Sequence, residues 1–214
     1  MELGKYITFN FNNLKCEFRT LNELDVSQEY IDALEENEFI ENIPTKLSIP
    51  KQKKYINEIL SRDRETICGL YVDTKLIGSC GIQTYTTFLH NIDKHALKVG
   101  TVGIFIFNNN YKGLGIGKAL LWASIYLLHE CSQTEWFTAG MLKENIASLK
   151  TFLSCGFKEV EFTLSQKLLV SNKTFIDDNL KIYNVLLNYS ELKKPEFIKS
   201  EKIINVQKTI RKKV

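Results

Sequence analysis

One apolar run ends at Phe107 and another begins at Ala119. Between them stands Asn108-Asn109-Asn110-Tyr111-Lys112-Gly113-Leu114-Gly115-Ile116-Gly117, too rich in Gly and Asn to continue either element. The chain must turn sharply there. A helix follows from Gly117 to about Glu130, apolar nearly all round (Leu120, Leu121, Trp122, Ile125, Leu127, Leu128), so it has to be covered on more than one side. A strand, a glycine turn and a helix N-terminus make an anion site, because successive N–H groups point into the turn and the helix end adds positive potential. Two phosphate-binding patterns fail on spacing. A triphosphate loop, GxxxxGK(S/T), would need Gly where Lys112 stands and a hydroxyl where Ala119 stands. A dinucleotide loop, GxGxxG, finds Lys118 or Leu120 at its third glycine.

The rest of the chain reads as mixed structure. Leu14 to Leu21 alternates like a strand, and Asp25 or Ser27 can cap a helix carrying Val26, Tyr30, Ala33 and Leu34 on one face. Ser48 and Pro50 open a second helix with an apolar stripe of Tyr55, Ile56, Ile59 and Leu60. Thr66 to Val72 and Leu76 to Tyr85 read as a hairpin, and Ala96 to Phe107 as a longer strand after a polar loop. Beyond the glycine loop come a strand at Trp136 to Met141, a helix at Asn145 to Ser154, and closing strands at Phe157 to Val170 and Phe175 to Asn188. No internal repeat is visible.

Lys112 to Leu120 resembles the (Q/R)xxGx(G/A) acyl-coenzyme A loop of the GNAT superfamily of N-acyltransferases. Asn145 to Phe157 resembles that superfamily's second signature, an Asn-initiated helix ending in Gly-Phe. The order β-α-α-β-β-β-loop-α-β-α-β matches as well, so the resemblance covers about Leu14 to Asn188. It implies an α/β (α+β) fold: a mixed, mostly antiparallel sheet of six to seven strands flanked by about four helices. It also implies that acetyl-CoA or a close acyl-CoA is the co-substrate, with no metal. The pyrophosphate would rest on Lys112, Gly113, Leu114, Gly115, Ile116, Gly117 and Lys118. Ile104, Phe105 and Ile106 would bond the pantetheine and the thioester oxygen through their backbone, and Asn145, Ser148 and Phe152 would line the same arm. Asn145 also reads simply as an N-cap, Gly156 as a helix C-cap and Phe157 as core.

Two departures from the pattern bear on chemistry. Lys112 replaces Gln or Arg, keeping a positive charge but losing the guanidinium fork. Phe152 stands where many members carry a Tyr that protonates the departing thiolate. Since a thiol of this kind has a pKa of about 8.5, the thiolate is a tolerable leaving group near neutrality. An attacking amine has a pKa of about 10 and must lose a proton, yet Ala96 to Phe107 holds no carboxylate to take it. The nearest candidate bases are Glu38 and Glu41, in the acid-rich stretch Glu35 to Glu41, and Asp93 and His95. The reading is an acyl transfer to a primary amine by direct attack, the acceptor an amino sugar or a protein N-terminus by resemblance to that branch. The alternative is a non-catalytic acyl-CoA-binding regulatory module.

Net charge over the 214 residues is +3, but residues 190–214 hold eight Lys and Arg against three Glu, leaving a slightly acidic body at −2. Residues 1–189 thus read as one acyltransferase domain and 190–214 as a basic, solvated tail rather than a nucleic-acid arm. Five cysteines without a CxxC pair read as reduced core residues, and three histidines without an i, i+4 pair offer no metal set. No apolar run approaches the roughly 20 residues of a membrane helix, and no leader pattern precedes Phe11, so a cytoplasmic protein without a membrane partner is expected. A homodimer remains open.

Overall fold

The computed structural model describes residues 3–36, 47–88, 96–160 and 182–206. Among them nine strands form one sheet: β1 (Lys5–Phe11), β2 (Leu14–Thr20), β3 (Glu65–Val72), β4 (Lys75–Phe88), β5 (Ala96–Ile106), β6 (Trp136–Leu142), β7 (Lys158–Val160), β8 (Ile182–Asn188) and β9 (Ile198–Asn205). Their order in space is β7-β8-β6-β5-β4-β3-β2-β1-β9, and only the β5–β6 pair is parallel. Four helices accompany them: α1 (Gln28–Glu35), α2 (Ile49–Leu60), α3 (Ile116–Ser132) and α4 (Ile146–Ser154). The expected mixed, mostly antiparallel sheet is present, with two strands more than the sequence announced. Of the expected closing strands, only residues 157–160 and 182–188 fall among the described residues.

Two tight turns set register. Asn12-Asn13 and Asp73-Thr74 each place two successive residues at positive φ (47° and 67°, 46° and 72°), the turn whose twist matches that of paired strands. Alternation then sends Cys68, Leu70 and Val72 of β3 toward α3, and Ile67 and Tyr71 toward α1 and α2. Ser27 caps α1, its Oγ accepting from the Tyr30 N–H at 3.2 Å. Asp25, the other candidate cap, instead accepts two bonds from the Arg19 guanidinium, at 2.9 and 2.7 Å. On α2 the buried apolar residues are Ile56 and Ile59, while Tyr55 faces outward.

Helix α3 is covered on several sides, as its apolar circumference requires. The sheet lies against one flank. There, on β1, Phe9 meets Trp122 edge-on at 5.8 Å and the Lys5 Nζ donates to the Glu130 carbonyl at 3.1 Å, while Lys194, ahead of β9, sits over the Trp122 ring; α4 packs on a further side. Lys194 belongs to the stretch read as a tail. Residues 190–206 are not free chain: β9 pairs with β1, Ile198 opposite Phe11 is buried, and the Lys193 N–H donates to the Cys155 carbonyl. The charge density misled because β9 is the last strand of the sheet, where exposed Lys and Glu guard an open edge. The segment that leads to β9 also explains Gly156. That residue sits at φ 103°, and a Cβ there would stand 2.4 Å from the Glu191 carbonyl oxygen.

The Arg19–Asp25 pair gives a pH prediction. Burial alone would raise the Asp25 carboxyl, but bonds from Arg19 and from the Asn22 N–H at 2.7 Å outweigh it and hold the group below its usual range. A folded pKa below the unfolded one means the contribution is complete above the unfolded value, about 3.9, and lost as pH falls through the folded value. Thermal melts should therefore show a steeper loss of stability below about pH 4 in the native chain than in Asp25→Asn. Equal slopes would show that the pair is not linked to folding.

Candidate functional site

β5 and β6 run side by side only from Val99 to Thr101 and from Trp136 to Thr138. Beyond that they part. β5 stays with β4 through Ile106, and the Phe107 and Asn108 N–H groups both donate to the Ile77 carbonyl, drawing the chain away from β6. β6 stays with β8 through Leu142. The fork thus leaves the inner edge of Val102 to Ile106, including Ile104, Phe105 and Ile106, without a ladder partner, so its inward N–H and C=O groups are available to an amide-bearing ligand.

The glycine loop closes the far end of the fork. Gly113 and Gly115 have φ of 78° and 83°, and Gly115 is the residue before the first turn of α3. Among the described residues, no hydrogen bond engages the N–H groups of Gly113, Leu114, Gly115, Ile116 or Gly117. The Lys118 N–H differs from expectation: it donates to the Gly115 carbonyl at 3.0 Å, so it is spent on the turn and only its exposed ammonium, like that of Lys112, remains for a ligand. Five unengaged N–H groups on the positive end of a 17-residue helix form an anion cradle. At Gly117 a Cβ would meet only Thr151 and Ile106, at 3.8 and 3.9 Å, so neither backbone nor packing demands glycine there. The bare surface between β5 and α4 is what the glycine supplies.

Across the fork, Asn145 caps α4, its Oδ1 accepting from the Ser148 N–H at 3.1 Å. Ser148 is half-buried, and its hydroxyl makes no hydrogen bond among the described residues. Phe152 is a core residue, packed edge-on against Phe157 with ring centroids 4.9 Å apart. The candidate bases Glu38, Glu41, Asp93 and His95 all lie outside the described residues. Of their stretch, Glu35 uses its Oε1 to accept from the Leu47 N–H at 2.7 Å.

Sequence reasoning missed the residues that brace the loop. Phe11, at the end of β1, lies 3.6 Å from where a Gly115 Cβ would be and meets Phe197 edge-on. Asn108 accepts from the Asn110 N–H through its Oδ1, and its Nδ2 donates to Glu29 on α1 at 3.3 Å; Glu29 also pairs with Lys75. No local pattern marks Phe11 against Gly115 or Asn108 against Glu29, contacts that join residues about 80 to 100 positions apart. Cysteine chemistry finds no support: all five thiols are free, and burial pushes Cys16 and Cys80 up to about 12 and Cys155 to about 11.

The model of the acetyltransferase (GNAT) domain matches residues 16–158. No curated protein matches. Several solved structures share the fold. A Bacillus halodurans protein of uncharacterised role superposes with a TM-score of 0.67 at 16% identity, over 89% of this chain and 93% of its own. Mycobacterium smegmatis RimJ, in complex with CoA-disulfide, gives 0.66 at 14% identity, over 88% and 90%. The yncA protein of Salmonella typhimurium, with its cofactor acetyl-CoA, gives 0.56 at 16% identity, over 85% and 98%.

Proposed function

The chain belongs to the GNAT acetyltransferases, and from that premise we propose that it moves an acetyl group from acetyl-CoA to a primary amine by direct attack in a ternary complex. The observation that carries this reading is the fork ending in five unengaged N–H groups. In this reading the cradle from Gly113 to Gly117 takes the pyrophosphate, with Lys112 and Lys118 adding charge. The free edge of β5 at Ile104, Phe105 and Ile106 aligns the pantetheine and polarises the thioester carbonyl. Holding amine and thioester in attack geometry is worth several kcal/mol on its own, up to about 7–11. The amine nitrogen forms the new C–N bond, the C–S bond breaks, and the sulfur leaves as thiolate. Since Phe152 donates no proton, solvent or the proton released by the amine neutralises it.

The same absence favours a second reading, a module that binds acyl-CoA without turning it over. Incubating the protein with acetyl-CoA and a panel of amines, and measuring free thiol, separates the two. Amine-dependent thiol release establishes transfer; coenzyme affinity without release for any amine establishes the module.

The base is sought among Glu38, Glu41, Asp93 and His95. In a slightly acidic body, Glu35, Glu36, Glu38 and Glu41 would draw a cationic amine, and exposed charges are screened beyond about 8 Å at physiological salt. Glu38→Gln and Glu41→Gln are therefore expected to raise KM, more at low salt than at high. A fall in the turnover number itself nominates the altered residue as the base, and no change in either parameter moves the role to Asp93 or His95.

A further inference from the structure

Two glycines stand where a half-buried strand would ordinarily carry side chains. Gly81 on β4 and Gly103 on β5 lie directly opposite each other, both exposed. Neither is required by its backbone, since positive-φ glycines are confined to positions 4, 113, 115 and 156. Packing does not require them either: a Cβ at either position would meet nothing within 4 Å. Mid-strand glycine weakens a strand and marks places where a ligand or another backbone comes close.

Their face is fixed by register. Side chains alternate along β5, so Gly103 shares a face with Thr101 and Phe105, away from α3 and on the side of α1 and α2. This is the face of the fork opposite α3 and α4. Gln83 and Thr101 bound the bare patch at one end, Ser79 and Phe105 at the other. On β6, Thr138 pairs in register with Thr101 at the last joined position of the fork, and so lies on the same face. Its hydroxyl is an independent sign of a ligand, for Thr138 is 1% exposed and its Oγ1 has no hydrogen-bond partner. The hydrogen-bonding side chains nearest the patch are themselves neutral: Gln83, whose Nε2 donates to the Glu65 carboxylate beside it on β3 at 3.5 Å, Thr101 with Tyr85 at 3.5 Å, and Thr138.

We propose that Gly81 and Gly103 form a bare floor on which the acceptor lies, selecting an amine whose neighbouring group is flat, uncharged and hydrogen-bonding, such as the first peptide unit of a polypeptide, over a slender alkyl amine. This rests on the transfer reading above and specifies its acceptor. A peptide plane fits against exposed backbone with no Cβ beneath it, and its carbonyl and N–H can be met by Gln83, Thr101 and the otherwise unpaired Thr138. A methylene chain gains nothing from a missing Cβ and offers Thr138 no partner.

The test compares native chain, Gly103→Val and Gly81→Val with two acceptors, a short peptide with a free α-amine and butylamine. Valine suits an exposed strand, so folding is checked by circular dichroism and melting rather than assumed. The ratio of kcat/KM for peptide over butylamine is expected to fall about tenfold or more in Gly103→Val. Thr138→Val, which keeps shape and removes the hydroxyl, should lower the same ratio. Calorimetric titration of peptide into the CoA-loaded protein reads the floor without turnover. An unchanged ratio in folded Gly103→Val, or a native chain that acetylates butylamine yet neither binds nor acetylates peptide, overturns the floor. A native chain that binds peptide, loses that binding in Gly103→Val, and releases no thiol supports the floor and overturns transfer.

Discussion

Gly115→Asp is expected to weaken coenzyme A binding by at least about a hundredfold, some 2.7 kcal/mol. Two separate costs add at this position. The residue before α3 sits at φ 83°, and a side chain in the left-handed region costs roughly 1–2 kcal/mol. That cost falls on the loop itself and shows as lost stability. The second cost is electrostatic, since a carboxylate would stand among the five N–H groups meant for the pyrophosphate and satisfy them from within. Gly115→Ala separates the two. The nearest neighbour of its Cβ is the Phe11 ring at 3.6 Å, ordinary contact, so alanine carries the backbone strain without the charge. Calorimetry should find alanine affected modestly and aspartate severely. Equal, small effects in both variants would remove the pyrophosphate from this loop.

The same loop shows what a sequence can and cannot disclose. Glycines at 113 and 115 are legible because local conformation demands them, and local demands are written in local residues. The apolar circumference of α3 correctly announced cover on several sides, but not its source. That source includes β1, which is itself paired with β9 from the opposite end of the chain. β1 carries a plain alternation at Ile7, Phe9 and Phe11, while β9 hides its Ile198 among lysines and glutamates that belong to an edge strand. The fork was less visible still. It arises because β5 follows β4 while β6 follows β8, a choice made by partners distant in sequence. Gly81 and Gly103 are isolated glycines in otherwise good strands, a signal that gains meaning only once register sets them opposite each other. Phe11 beneath Gly115 and Glu29 beside Asn108 leave no trace in the sequence at all, because bracing contacts need no pattern.

Phe152 carries the prediction with the widest spread between variants. Its ring is buried and edge-on to Phe157, so Phe152→Ala removes packing on the scale of about 3–5 kcal/mol, a large part of a domain's usual 5–15. Melting should drop sharply, and loss of turnover in that variant would say nothing of chemistry. Phe152→Tyr keeps the ring. Its added hydroxyl either reaches the open fork or is buried without a partner at a cost of about 1–3 kcal/mol, so the melting temperature reports which. In the first case turnover should equal or exceed the native value, since a thiolate with a pKa of about 8.5 needs little help near neutrality but can use a donor. The pH profile sharpens the point. With no phenol acting as acid, the native kcat should rise as the amine and its base deprotonate and then level, whereas Phe152→Tyr should add a falling limb near the phenol's pKa of about 10. A falling limb already present in the native protein would mean that another group protonates the thiolate. A large loss of turnover in folded Phe152→Tyr would mean instead that the fork needs its apolar wall at this position more than it needs a proton.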